Sequence, residues 1–408
     1  MIPIWISNQN FCEGRGLPPT FFVEVSKHEM SSQKHTLLGT ITKFAPKPAS
    51  SRILRYALQS EVNRLLPKSR TASCNRYVSA RSEGVHIYSH STGKAAYYKG
   101  LVVCGSIWVC PLCSARITEF RRKEIKQALD TISGRAVLVT YTLRHALEDS
   151  LEKVNSSLKG AFKKMWSGRW AEDFRDNFGY IGQIKALEVT HGKNGWHPHL
   201  HCLMFMNTDL DTWEIENDVS AVLRTRWIHA LNLCRAGANW ENGLTIKVAY
   251  GDVAEYVEKM GHEPIDEVGW NITHEIGKGP SKVSRSGGDT PLQLLYRSLC
   301  GDEAASTLWL EYVAAFKGDQ QLRWSPGLRD LAGLSKTEPT DEEMSDFIPD
   351  GCELLMTLSR DQWWVVLKHD ARGKLLDVAK EGDEGKLIDF LYSIGVTFER
   401  LHIDDFRA

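Results

Sequence analysis

An α+β fold is what this 408-residue chain predicts, with a central antiparallel sheet of split βαβ type, a cysteine-rich zinc region before it and a small α/β appendage after it. Three observations carry that expectation. From about residue 135 to 250, apolar runs alternate between the period of a strand and the period of a helix. Cys74, Cys104, Cys110 and Cys113 gather ahead of that stretch. The polar, acidic run Lys336-Thr337-Glu338-Pro339-Thr340-Asp341-Glu342-Glu343 then sets off the last apolar segments.

Residues 1–70 mix short apolar pieces with the breaker Pro46-Lys47-Pro48 and the basic Lys68-Ser69-Arg70, and form a region of unknown role. Residues 71–133 hold strand-like pieces with the cysteines, followed by a charged helix from about Ser114 to Ile132. Within 134–332 the pattern reads strand 135–143, helix 147–166, strand 180–190, strand 199–206, helix 211–234, strand 244–250 and a short helix from Gly251. Two βαβ units joined by a hairpin make the split βαβ, or ferredoxin-like, arrangement. Residues 333–346 are an acidic linker, and Trp363-Trp364-Val365-Val366-Leu367 and Lys386-Leu387-Ile388-Asp389-Phe390-Leu391 mark a small accessory domain over 347–408.

A hydrophobic content of 42% allows a sizeable core in a chain long enough for two or three domains. There is no run of about 18 apolar residues and no basic-then-apolar start, so no membrane partner and a cytoplasmic location are expected. Nine cysteines then read as thiols and metal ligands rather than disulfides. Net charge is only -1, but residues 51–200 carry 24 Lys+Arg against 12 Asp+Glu, while 331–408 carry 9 against 17. The basic half is the expected DNA-facing half, and the acidic end is either a limit on non-specific binding, a partner surface or a solvated accessory domain.

The run Gly195-Trp196-His197-Pro198-His199-Leu200-His201-Cys202-Leu203-Met204-Phe205 sets histidines two apart on a strand, so His197, His199 and His201 share one face. Two such imidazoles can bind one metal ion; the competing reading is a half-buried strand with incidental histidines. An Asn194-Gly195 turn sets Glu188 opposite His201, and a Lys193-Asn194 turn sets it opposite His199. Either register puts a carboxylate beside the pair, a donor set suited to Mg²⁺ or Mn²⁺. His197, His191 and His145 are rival third ligands, with His197 alternatively a neighbour of the site or a DNA contact.

In Gly251-Asp252-Val253-Ala254-Glu255-Tyr256-Val257-Glu258-Lys259-Met260, helical spacing puts Asp252, Tyr256 and Lys259 on one face. A lysine one turn from a tyrosine favours the phenolate and neutralises charge on a phosphate under attack. The bland alternative is a capping box of Asp252 with Glu255, a Glu255–Lys259 surface pair and a core tyrosine.

Together these segments resemble the HUH endonucleases, in which a His-hydrophobic-His pair holds a divalent cation and a Tyr-x-x-Lys helix carries the nucleophile. The matching residues here are His199-Leu200-His201 and Tyr256-Val257-Glu258-Lys259, with Val137-Leu138-Val139-Thr140-Tyr141-Thr142-Leu143 similar to the family's first strand motif. Within that class the chain most resembles single-tyrosine initiators of rolling-circle plasmid replication. Gly100-Leu101-Val102-Val103-Cys104, Cys110-Pro111-Leu112-Cys113, Asp289-Thr290-Pro291 and Trp324-Ser325-Pro326-Gly327-Leu328 extend the likeness across residues 70 to 332. The resemblance implies nicking of single-stranded or extruded origin DNA by Tyr256, a 5′-phosphotyrosine link, a free 3′-OH, and a host helicase and polymerase as partners. It puts a glutamate four residues before the tyrosine as the base for a terminating cut, where this chain has Asp252, with Glu255 and Glu258 as rivals.

The resemblance and the Cys104-x5-Cys110-x2-Cys113 spacing, with Cys74 upstream, point to a four-thiolate zinc site rather than a redox pair or free thiols. Arg116, Arg121, Arg122, Lys123 and Lys126 on the following helix are candidate phosphate contacts, against the plainer reading of a solvated charged face. Two other functions remain open: a transposase of the same chemistry, and a zinc-containing DNA-binding regulator without enzymatic activity. A zinc deaminase fits poorly, because its His-x-Glu is replaced by His-x-His and the cysteine pair comes first.

Overall fold

The computed structural model describes residues 51–93, 95–248 and 288–398, together with two short paired strands, β1 (Ile4–Ile6) and β2 (Phe21–Val23). Helix α1 (Ser51–Leu65) lies in the region from which the sequence yielded no motif. It buries Leu54, Leu58 and Val62, four apart, in one core and turns Tyr56 into a second. After the single turn α2 (Arg70–Ser73), capped by Ser69, come the antiparallel β3 (Val85–His90) and β4 (Ala96–Lys99). Helix α3 (Pro111–Thr131) starts earlier than expected because Cys110 serves as its N-cap and Pro111 fills its first position, where a missing N–H costs nothing.

The main sheet is built from β5 (Arg135–Tyr141), the crossover helices α4 (Leu151–Met165) and α5 (Arg169–Phe178), and the long hairpin of β6 (Tyr180–Gly192) and β7 (Gly195–Met206). A short turn, Thr212–Glu214, and a π-helical turn, Ile215–Val219, lead into α6 (Ser220–Leu233) and then β8 (Leu244–Val248). From residue 288 onward come α7 (Pro291–Leu299), α8 (Glu303–Ala315), β9 (Leu322–Trp324) and α9 (Leu328–Leu331). The sheet order is β8-β5-β7-β6-β9, with every pair antiparallel.

Strand alternation divides this sheet into two faces. Val137, Val139 and Tyr141 of β5 and Leu200, Cys202 and Met204 of β7 turn toward α4, α6, α7 and α8. Leu138, Leu203 and Phe205 turn the other way, against Ile125 and Ala128 of α3 and Leu322 and Leu328. Each such fully buried side chain contributes about 1.5–3 kcal/mol relative to exposure. The α3 side is locked by a buried bidentate pair, Arg329 to Glu124 at 2.6 and 2.9 Å. Loss of either partner would strand a charge inside the protein.

The C-terminal segment corrects the expected division of the chain. It comprises α10 (Asp341–Asp346), β10 (Cys352–Leu358), α11 (Arg360–Lys368), α12 (Arg372–Ala379) and α13 (Glu384–Ser393). Strand β10 pairs with β3 to give the sheet β10-β3-β4, and Leu358, Trp363, Val366, Leu375 and Leu391 share one core with Val85, Ile87, Tyr98 and the four cysteines. Residues 347–398 therefore complete the cysteine-bearing lobe instead of forming a separate appendage, and the expected linker is docked: Asp341 binds Arg121 at 2.8 Å. No described helix is long and apolar enough to cross a membrane.

Candidate metal centres

The β6–β7 hairpin turns at Lys193–Asn194, with Gly192 opposite Gly195 and Glu188 opposite His199. Of the two registers open from the sequence, this is the one set by a Lys193-Asn194 turn. Gly195 takes φ +86°, and a Cβ there would meet the Ala146 carbonyl oxygen at 3.0 Å, so glycine serves both the turn and its close packing. Strand pairing runs on through Pro198↔Val189 and His197↔Thr190, so Pro198 does not divert the strand.

Alternation then brings Glu188, His199 and His201 together on the α3 side of the sheet, one ligand atom from each lying within 4.8 Å of the others. His199 Nε2 is 2.9 Å and His201 Nε2 3.3 Å from the same Glu188 oxygen. The outward nitrogens are held as well: His201 Nδ1 by Thr140 Oγ1 at 2.9 Å, and His199 Nδ1 by the His197 carbonyl at 3.4 Å. A carbonyl and a carboxylate both only accept, so a neutral His199 can donate to just one of them and turns a bare lone pair toward the other. That contact repels unless a proton or a cation lies between them. Three ligand atoms gathered this closely could hold one metal ion. Burial works to push the Glu188 carboxyl up, but His201 and His199 outweigh it and hold the group well below the usual carboxylate range.

The rival third ligands stand outside this trio. His197 Nδ1 meets His145 Nε2 at 2.8 Å, while His145 Nδ1 donates to the Asn194 carbonyl at 2.9 Å. Burial, with His199 and His145 nearby, lowers the His197 imidazolium to about 4. His191 packs edge-on against Trp196, and its backbone bridges to Asp289. Thr140, as the group that orients His201, is a role the sequence reading did not assign; its place in the alternation of β5 was the available signal.

The second cluster is Cys74, Cys104, Cys110 and Cys113, all buried, with sulfurs within 4.8 Å of one another. Cys113 Sγ lies 3.5 Å from Cys74 Sγ and 3.6 Å from Cys104 Sγ. Zinc with sulfurs at about 2.3 Å sets them about 3.8 Å apart, so four thiolates closing on one ion fit with little movement. N–H donors already face the sulfurs: Cys113 N to Cys110 Sγ, Ser106 N to Cys104 Sγ and Asn75 Nδ2 to Cys74 Sγ, each 3.5 Å. Hydrogen bonds from the other three thiols hold Cys113 well below its ordinary value, favouring the thiolate that binds metal. A buried four-cysteine group of this kind can hold a metal such as zinc.

The candidate phosphate contacts on α3 each have a partner within the protein. Arg121 is buried and bonds Gln321 and Asp341, and Arg116 donates to the Phe347 carbonyl and lies over the Tyr97 ring. Arg122 and Lys123 pair with Glu119, and Lys126 pairs with Asp130. These charges tie the lobe to the linker or neutralise one another, which a helical charge count does not reveal. Asp252, Tyr256 and Lys259, with their rivals Glu255 and Glu258, lie outside the described residues.

Residues 101–214, which span three of the four cysteines and all three members of the His–Glu trio, match the family described as "Replication protein". The chain is 27% identical over 358 residues to "Protein rep" of Streptomyces lividans, covering 70% of this chain and 77% of that one. It is 34% identical over 148 residues to "Neomycin resistance protein" of Streptomyces cyanogenus, covering 29% of this chain and 34% of that protein. No solved structure matches. These likenesses support a role in plasmid DNA replication, on a stretch that includes the whole candidate metal trio.

Proposed function

We propose that this protein initiates rolling-circle replication by nicking one DNA strand through a metal-assisted attack of Tyr256, as an HUH endonuclease of split βαβ type. The observation that carries the reading is the convergence of Glu188, His199 and His201 on one sheet face. The order of β8, β5, β7 and β6 with α4 and α6 on one face is the arrangement that two interlocked βαβ units produce. Tyr256 is eight residues beyond Val248, a tether of up to about 26 Å. Val248 pairs with Val137 and His201 with Thr140, so the strand offset between them is about 10 Å and the tyrosine has ample reach.

Glu188, His199 and His201 would hold Mg²⁺ or Mn²⁺, which supplies Lewis-acid polarisation of the scissile phosphate. The Tyr256 oxygen attacks phosphorus, the bond from phosphorus to the 3′ oxygen breaks, and that oxygen takes up a proton as the free 3′-OH. The product link is a 5′-phosphotyrosine, and because one phosphodiester replaces another the step can run backward to rejoin strands. Lys259 favours the phenolate, and Asp252 activates water for the terminating cut. The host polymerase would extend the 3′-OH behind a host helicase.

His199→Ala and His201→Ala should each lower Mn²⁺-dependent nicking of single-stranded DNA by at least about a hundredfold, since loss of a ligand removes most of the metal's contribution. Nicking at the wild-type rate by both variants would remove the trio from the reaction. A transposase with the same chemistry would nick its own element's ends and leave plasmid origin DNA uncut.

A further inference from the structure

Beyond His199, at the tip of the β6–β7 hairpin, a cleft of about 320 Å³ opens between the residues after β5, the hairpin turn and the loop that enters β8. Its walls include Arg144, His145, Lys193, His197, Asn239 and Asn242. His197 ties it to the candidate metal trio, its ring centroid lying 5.5 Å from that of His199. Arg144, Lys193 and Asn239 are exposed. The loops are pinned across the cleft mouth: Arg144 N bonds the Gly237 carbonyl at 2.6 Å, and Thr142 Oγ1 the Asn242 carbonyl at 2.8 Å.

One contact gives this cleft a direction of recognition. Arg144 Nη2 lies 2.5 Å from Asn239 Oδ1. A guanidinium only donates, so Arg144 fills one of the two lone pairs of the Asn239 oxygen and leaves both N–H donors of the amide unused by that contact, which tilts the side chain toward donating. A free asparagine reads adenine through one donor and one acceptor. An asparagine whose oxygen is engaged favours an edge made of acceptors, such as guanine N7 and O6. The volume lies at the small end of ligand sites, and the two flanking cations suit a phosphate backbone.

We infer that this cleft holds the unpaired nucleobase beside the cut phosphodiester and selects guanine there, through the Asn239 amide, with Arg144 and Lys193 on the adjoining phosphates. The inference rests on the nicking reading for its place beside the cut, but the base selection is separable from it. The test uses the immobilised full-length protein in buffer without added divalent metal and a pool of random-sequence single-stranded 20-mers, with the retained molecules sequenced. Wild type should enrich a motif with guanine at one position. Asn239→Ala, and Asn239→Asp with the same shape but no donors, should lose that preference about tenfold at that position alone. Lys193→Ala should keep the motif while lowering retention of all sequences and reducing the salt slope by about one.

An adenine preference, an unchanged motif in both Asn239 variants, or failure of the wild type to retain single strands would overturn the assignment. Retention with the Asn239-dependent guanine but no nicking in Mn²⁺ would keep the cleft and discard the nuclease. Nicking with a motif indifferent to Asn239 would do the reverse.

Discussion

Tyr256→Phe should abolish nicking and the covalent protein–DNA adduct together, lowering the cleavage rate by at least about a thousandfold, because only the attacking oxygen is removed. Binding of the same DNA should change little, since phosphate and base contacts do not depend on that hydroxyl. Gel mobility of the adduct under denaturing conditions and a binding titration separate the two effects. In the same assay Asp252→Asn should nick normally and accumulate products longer than one unit, because the amide still caps a helix but cannot take a proton from water. Termination at the wild-type rate in that variant would reduce Asp252 to a cap.

Cys113→Ser carries the second large effect. The four sulfurs lie in a buried core shared with Ile117, Leu358 and Trp363. Elemental analysis should find one zinc per wild-type chain and none in Cys113→Ser. Structural zinc supplies folding free energy outright, so the variant's thermal transition should fall by about 10 °C or more. Because α3 begins at this cluster and its far end packs beneath the main sheet through Ile125 and Ala128, the loss should also loosen the surface under the metal trio. Purified wild-type protein without zinc would contradict the four-thiolate site.

The parts of the fold governed by local period were legible in the sequence. Strands β5 to β8 and helix α4 fall within a few residues of where alternation and helical spacing put them, the expected helix 211–234 is divided into a short turn, a π-helical turn and α6, and the shared face of His199, His201 and Glu188 follows from a period of two. The register was open because Lys193-Asn194-Gly195 admits two turns, and the choice lies in Gly195 fitting against Ala146. The β3–β10 pairing joins residues more than 250 positions apart and leaves no local pattern, so the C-terminal segment looked independent. Arg121 shows the same limit for charge: its partners Gln321 and Asp341 are remote in sequence, so nothing local marks this one arginine of the basic helix as a buried clamp.

The most direct measurement of the central claim is peptide mapping of the covalent adduct. Wild-type protein is incubated with single-stranded origin DNA and Mn²⁺, digested with protease and nuclease, and analysed by mass spectrometry. A nucleotide joined through its 5′ phosphate to the peptide that contains Tyr256, absent when the metal is omitted and absent from His199→Ala, is the predicted result. An adduct on any other residue, or cleavage that leaves no protein-linked nucleotide, would contradict the account.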